Sequence, residues 1–424
     1  MSRVKIIPKN LKGSVTIPPS KSLSHRAIIC SSLANGESTV ENILFSKDII
    51  ATSKAMESLG VKMKFNENSI DIKGSGELKL VNPIIDCNES GSTLRFMIPL
   101  AMIPDEEVTF EGSGRLVTRP LTTYYEIFDK EGIKYSSKEG LPLTVKGSLK
   151  PSVYEVEGNI SSQFITGLMF TLPLLNGDST IKVIGDLESK GYVDLTIDML
   201  KQYGVEIENK DYKEFFIKGN QKYISQNHRV EGDYSQVAFW IVAGLLGDKI
   251  TCLDMRKDSL QGDREIIDIV RTMGAKIEVL EDRIIVHPSK TYGSVIDASQ
   301  CPDLVPALAA LASVSEGKTI IKNAERVRIK ESDRLEAMRC ELNKLGADVE
   351  ETKDGLIING KFMLNGGEVD GWNDHRIVMA LAAVSSRCMG EIIINDSQAI
   401  TKSYPTFFED FKALGGEVHE LDVR

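Results

Sequence analysis

Six times along the chain an amphipathic stretch runs into a glycine and then into an alternation of apolar and polar residues. The copies read MESLGVKMKF, FDKEGIKYSS, LKQYGVEIEN, VRTMGAKIEV, LNKLGADVEE and FKALGGEVHE, with first glycines Gly60, Gly132, Gly204, Gly274, Gly346 and Gly415. Glycine just past an apolar-periodic run predicts a helix C-cap, because it reaches φ > 0 without steric cost. Alternation at period two predicts a half-buried strand. The markers recur roughly every 70 residues, and a fixed period means a repeated supersecondary unit.

Each unit has room for two helices. Polar clusters lie roughly 40 residues before each glycine, in PSKSLSHR, ESGSTLRF, NISSQF, EGDYSQ, SQCPD and WNDHR. Ser22, Ser92, Ser162, Asp233, Asp303 and Asp374 share this phase and are predicted to cap a first helix. A second helix is predicted to start about a dozen residues before each glycine, near Asp48, Arg119, Tyr192, Asp263, Asp333 and Lys402. Apolar runs between them, such as KTIIKNA and EIIINDS, read as strands. The unit is therefore strand, helix, strand, helix, strand, strand. Six such units fit a solenoid or two globular halves of three units each. A chain of 424 residues exceeds what one core usually holds, and the natural division falls between Asn227 and Val230.

Composition narrows the function classes. The chain is 42% hydrophobic and 26% charged, with net charge −10, which argues against a general nucleic-acid binder and against an anionic membrane surface. Small anionic substrates stay open, since a local cationic site can sit in an acidic protein. The six cysteines are scattered without a C-x-x-C pair and read as buried free thiols; the five histidines lack metal-ligand spacing. The N-terminal MSRVKIIPKN has no apolar signal core, and the apolar stretch around Phe239 to Leu246 is too short to span a bilayer. A cytoplasmic protein is expected.

The cations fall at the two helix phases. Lys21, Arg26, Arg95 and Arg376 accompany first-phase clusters; Arg119, Lys330, Arg334 and Lys402 sit at second-phase starts. Helix N-termini favour acids, so each such cation costs roughly 0.3–1 kcal/mol there. Spare N–H groups beside Lys or Arg make an anion site, and several together would hold a polyanion. Each motif also has an ordinary reading: Lys330 and Arg334 as a solvated i,i+4 face, Asp374 as a cap, His375 as a core histidine, Lys402 as a surface lysine, SSQF as a cap network. Those readings leave the shared phase unexplained.

The set PSKSLSHR, GSTLR, TRP, SSQF, SKGY, CPD, KESDR, NDHR and TKSYP, in this order along the whole chain, resembles the enolpyruvyl transferase family, and within it the branch acting on shikimate-3-phosphate. The resemblance implies an α/β fold of two domains, each of three βαβαββ units, as an inverse α/β barrel with the active site in the interdomain cleft. It implies a first domain over 19–229, binding shikimate-3-phosphate, and a second over 1–18 plus 230–424. It implies transfer of the enolpyruvyl group of phosphoenolpyruvate to the 5-hydroxyl of shikimate-3-phosphate, with release of phosphate, in the shikimate pathway of aromatic amino-acid and chorismate biosynthesis. Lys21 is expected to touch both substrates. Ser22, Arg26, Ser161, Ser162, Gln163, Ser189 and Lys330 are expected on shikimate-3-phosphate. Arg119, Arg334, Arg376 and Lys402, with the Gly91 backbone, are expected to clamp phosphoenolpyruvate. Asp303 is expected to take the 5-hydroxyl proton, Glu331 to exchange protons at C3 with Lys402 assisting, and His375 to orient its neighbours. No metal or other cofactor is implied. A monomer without nucleic-acid or membrane partners is expected.

One divergent loop and two rivals bear on this resemblance. Glu89, Ser90 and Phe96 replace the Asn, Ala and Pro of many relatives, beside the retained Gly91 and Arg95, which bears on how the family's inhibitor glyphosate would bind. The sister branch acting on UDP-N-acetylglucosamine carries a catalytic cysteine ahead of its R-P pair; here EGSGRLVTRP has none. A non-catalytic anion-binding scaffold would have no need of Asp303 and Glu331 beside the cations.

Overall fold

The structure, a computed structural model, describes residues 2–138 and 140–421. Among them twelve α-helices are found: α1 (Lys21–Leu33), α2 (Lys47–Ser58), α3 (Gly91–Ala101), α4 (Thr122–Glu131), α5 (Ser162–Thr171), α6 (Lys190–Gln202), α7 (Tyr234–Leu246), α8 (Ile266–Thr272), α9 (Val305–Ala312), α10 (Arg334–Lys344), α11 (His375–Ala383) and α12 (Phe407–Ala413). All six marker glycines have φ between 69° and 99°. The residue after each glycine donates its N–H five residues back, from Val61 to Met56, Ile133 to Phe128, Val205 to Leu200, Ala275 to Val270, Ala347 to Leu342 and Gly416 to Phe411. This is the Schellman closure, which satisfies the last helical carbonyls and turns the chain into the next strand.

Every repeat builds one four-stranded sheet with the same pairing. In the third, Val153–Glu157 runs parallel to Ser179–Ile184, which pairs antiparallel with Glu214–Ile217, itself antiparallel to Ile207–Lys210. Three repeats borrow a strand from a distant part of the chain. The first takes His228–Arg229 as its parallel edge, and the fourth takes Gly13–Thr16 beside Ile250–Leu253. Arg3–Ile7 completes the sixth sheet between Ile392–Asn395 and Glu417–Leu421.

The chain divides into two compact units, one of 1–18 with 231–424 and one of 19–230. In the first unit, α7, α9 and α11 pack on one another and every residue of the three is buried. Beyond their first turns their sequences are apolar on all faces, as a fully enclosed helix requires. The even-numbered helices bury one stripe only; α10 buries Leu335, Ala337, Met338 and Leu342 together with the charged Arg334 and Glu341. The second unit repeats the scheme around α1, α3 and α5, all largely buried. In each unit odd-numbered helices fill the centre and strands lie outside them, the reverse of an ordinary α/β barrel.

The capping phase needs correction. Ser22, Ser92 and Ser162 lie within the first turns, and the capping hydroxyls belong to Ser20, Ser90 and Ser161. A cap must have non-helical backbone, and in each serine pair it is the earlier residue that does. Asp233 and Asp374 do cap α7 and α11. Asp303 does not: it sits in the 3₁₀ turn Pro302–Leu304 ahead of α9, with no cap bond there.

Candidate functional site

The cations do not stand quite where the repeat phase suggests. Arg119 and Lys330 directly follow the 3₁₀ turns Gly114–Thr118 and Glu325–Ile329, and Lys402 ends the turn Ser397–Lys402. A cation at the C-terminal end of a helical turn is electrostatically favourable. Of the site cations, Lys21, Arg334 and Arg376 occupy first turns of α-helices, and each meets a carboxylate.

In the unit of 19–230, Lys21 opens α1 and its Nζ lies 2.9 Å from Asp48 Oδ2 in the first turn of α2. Asp48 marks the second-helix phase in the sequence, which gave no hint that it would pair with Lys21. Gly91 opens α3 under two guanidiniums. A Cβ there would lie 2.6 Å from Arg119 Nη1 and 3.1 Å from Arg95 Nη1, so only glycine lets both approach the backbone. Arg95 donates to Gln163 Oε1 at 2.7 Å, and Gln163 Nε2 donates to Ser92 Oγ at 2.9 Å. Arg119, Gly91, Arg95, Ser92 and Gln163 thus form one contiguous polar group across α3 and α5. The sequence marks Ser92 as a cap and Arg95 as a first-phase cation but assigns neither to a substrate.

Ser161 caps α5 by accepting from the Gln163 N–H at 3.3 Å, beside Ser162. Ser189 is buried, with left-handed backbone at φ 54° where α6 begins, and its hydroxyl does not cap that helix. A non-glycine residue held there is strained, a feature that gathers at functional sites. Arg26 is turned inward. It donates to the Tyr192 carbonyl at 2.9 Å, the Ser22 carbonyl at 2.7 Å and Thr196 Oγ1 at 2.9 Å. Burial lowers its pKa to about 10. Arg26 therefore ties the start of α6 to the Ser22 turn.

In the other unit Arg334 is the hub. Its side chain is 1% exposed, and it donates to Asp303 Oδ1 at 2.8 Å, Glu331 Oε2 at 2.7 Å and Asp374 Oδ2 at 2.9 Å. Asp303 also accepts from Arg376 Nη2 at 3.2 Å, and Lys330 Nζ stands 3.7 Å away. Arg376 reaches Ser235 Oγ at 3.0 Å in the first turn of α7. Ser332 donates to Asp374 at 2.9 Å. Burial opposes ionisation of Asp303, yet Arg376, Lys330 and Arg334 outweigh it and hold the carboxyl well below its ordinary range. Asp374 is likewise lowered, Arg334 overcoming burial. Burial pulls Lys330 below the ordinary lysine value, with Asp303 opposing.

Lys402 donates to the Asn373 carbonyl at 2.6 Å. That carbonyl belongs to two successive left-handed residues, Trp372 at φ 54° and Asn373 at φ 49°. His375 is buried with Nδ1 3.7 Å from Asp374 Oδ1. Asp303, Lys330, Glu331, Arg334, His375 and Arg376 are therefore brought together, as are Gly91, Arg119 and Gln163. Asp374 is more than the cap the sequence suggested, since it also holds Arg334. Among the described residues no cluster of three or more metal-ligating side chains occurs, and no helix is long and apolar enough to cross a membrane.

Comparison with known proteins agrees with the motif order. The family model described as EPSP synthase (3-phosphoshikimate 1-carboxyvinyltransferase) matches residues 6–411. The chain is 57% identical to the 3-phosphoshikimate 1-carboxyvinyltransferase of Clostridium novyi and 56% identical to that of Clostridium kluyveri, in each case over 100% of both chains. An EPSP synthase structure from Acinetobacter baumannii superposes with a TM-score of 0.84 at 24% identity, covering 100% of each chain. The enolpyruvyl transferase NikO from Streptomyces tendae superposes at 0.80 with 15% identity, covering 100% of this chain and 99% of its own. These two likenesses speak for the two-domain α/β fold. The chain belongs to the EPSP synthase family, the 3-phosphoshikimate 1-carboxyvinyltransferases.

Proposed function

We propose that the residues described above carry out the reaction of that family: transfer of the enolpyruvyl group of phosphoenolpyruvate to the 5-hydroxyl of shikimate-3-phosphate. The 5-oxygen attacks C2 of phosphoenolpyruvate while a proton is added at C3, giving a tetrahedral intermediate. Loss of that proton and cleavage of the C2–O bond then release phosphate and the enol ether. The observation that carries the assignment is the Arg334 hub. Two carboxylates able to move protons, Asp303 and Glu331, are held on a guanidinium suited to planar anions.

Asp303 takes the 5-hydroxyl proton. Arg376, Lys330 and Arg334 hold its carboxyl well below its ordinary range. Substrate carboxylate or phosphate competing for Arg334 and Arg376 would withdraw those cations and raise its pKa toward the working range. Glu331 exchanges the proton at C3, with Lys402 as second carrier, and His375 orients its neighbours. Arg119, Arg334, Arg376 and Lys402 hold phosphoenolpyruvate, with the Gly91 backbone close by. Ser22, Arg26, Ser161, Ser162, Gln163, Ser189 and Lys330 hold shikimate-3-phosphate, and Lys21 serves both substrates. The unit of 19–230 supplies most of the shikimate-3-phosphate contacts. The reading is of a monomer working in the cytoplasm, which the six free thiols fit.

The test is phosphate release from phosphoenolpyruvate with each acceptor. Release with shikimate-3-phosphate and none with UDP-N-acetylglucosamine is expected. The opposite result would overturn the assignment.

A further inference from the structure

Arg334 and Glu341 lie seven residues apart on α10, and positions so spaced share a helix face. Both grip the short segment that leads into α11. Arg334 holds Asp374 at its end. Glu341, itself only 1% exposed, accepts from the Trp372 indole N–H at 2.8 Å and from the Asp370 N–H at 2.9 Å. Lys344 lies 2.8 Å from the same carboxylate and balances its charge. Between the two grips stand Trp372 and Asn373, the two left-handed residues. Such a backbone persists only where its surroundings over-determine it. Its outcome is the direction of the Asn373 carbonyl, which receives Lys402 Nζ.

We infer that Glu341, acting through Trp372, is a positioning residue for Lys402 and hence for phosphoenolpyruvate. Its carboxylate fixes the indole, the indole fixes the left-handed pair, and the Asn373 carbonyl sets where the Lys402 ammonium waits. Glu341 touches no substrate. The inference rests on the reading of Lys402 as part of the phosphoenolpyruvate clamp.

Trp372→Phe deletes the indole donor and keeps the aromatic body. It should raise KM for phosphoenolpyruvate about tenfold and leave KM for shikimate-3-phosphate unchanged. Glu341→Gln retains an acceptor for the indole and should recover most of the loss seen in Glu341→Ala. In a Lys402→Ala background Trp372→Phe should add nothing, because the two act in series. If Lys402→Ala leaves KM for phosphoenolpyruvate unmoved, the clamp reading falls. If Lys402→Ala raises it while Trp372→Phe does not, or Trp372→Phe raises both KM values alike, the positioning role is wrong. Should Glu341→Ala not fold, Trp372→Phe alone decides.

Discussion

Asp303 and Arg334 meet through a 2.8 Å contact in which the carboxylate oxygen also faces Lys330 at 3.7 Å. The second Asp303 oxygen faces Arg376 at 3.2 Å. One carboxylate is therefore surrounded by three cations contributed by the segment before α10, by α10 and by α11. Cations so placed favour the ionised carboxylate, and an anion competing for them would make it a stronger base.

Asp303→Asn keeps the shape and most hydrogen-bonding capacity while removing the proton acceptor. Turnover should fall by about 10²–10⁴ with ligand binding largely retained. Steady-state kcat beside calorimetric binding of shikimate-3-phosphate checks this; an unchanged kcat would count against the role.

Arg119→Ala and Lys402→Ala each delete one charged donor of the proposed phosphoenolpyruvate clamp. KM for phosphoenolpyruvate should rise about ten- to a hundredfold, and KM for shikimate-3-phosphate much less. Equal rises in both would contradict the division of labour.

Gly91→Ala introduces a Cβ 2.6 Å from Arg119 Nη1. The long arginine side chain can yield, so the fold should survive with a near-native melting temperature. Arg119 would then be displaced, and KM for phosphoenolpyruvate should rise while that for shikimate-3-phosphate holds. A variant kinetically identical to the parent would show that the Arg119 position does not matter.

The lowered Asp303 and Asp374 carboxyls predict the acid limb of stability. A carboxyl whose folded pKa lies below its unfolded value, about 3.9, stabilises the fold fully above that value. The contribution is lost as pH falls through the folded pKa. The difference in melting temperature between parent and Asp303→Asn should therefore be greatest above about pH 5 and narrow toward pH 2. Melting curves at several pH values test it, and a gap that widens on acidification would refute it.

How far the site was legible depended on the residue. The KESDR and NDHR motifs announced Asp303's neighbours because sequence order holds Lys330, Glu331 and Arg334 in one short stretch. Arg95 carried no such signal, since its partner Gln163 is on another helix. The motif places Arg26 on shikimate-3-phosphate, and the structure adds that its guanidinium also donates to the Tyr192 and Ser22 carbonyls. A motif gives residue identity; which way a guanidinium points depends on what packs around it.

The sequence by itself determined the repeat, the helix ends and the strands that follow them. Those are local matters of steric freedom at glycine and of apolar period, and all six marker glycines obey them. It also carried the family, through motifs preserved in order over the whole chain. Only the tertiary structure decided that Gly13–Thr16 pairs with Ile250–Leu253, that Asp48 meets Lys21, and that Arg334 gathers Asp303 and Asp374. Those pairings join residues far apart in the chain. Hydrogen-bond partners of that kind are selected by burial and charge once the helices have packed, and no local pattern encodes them.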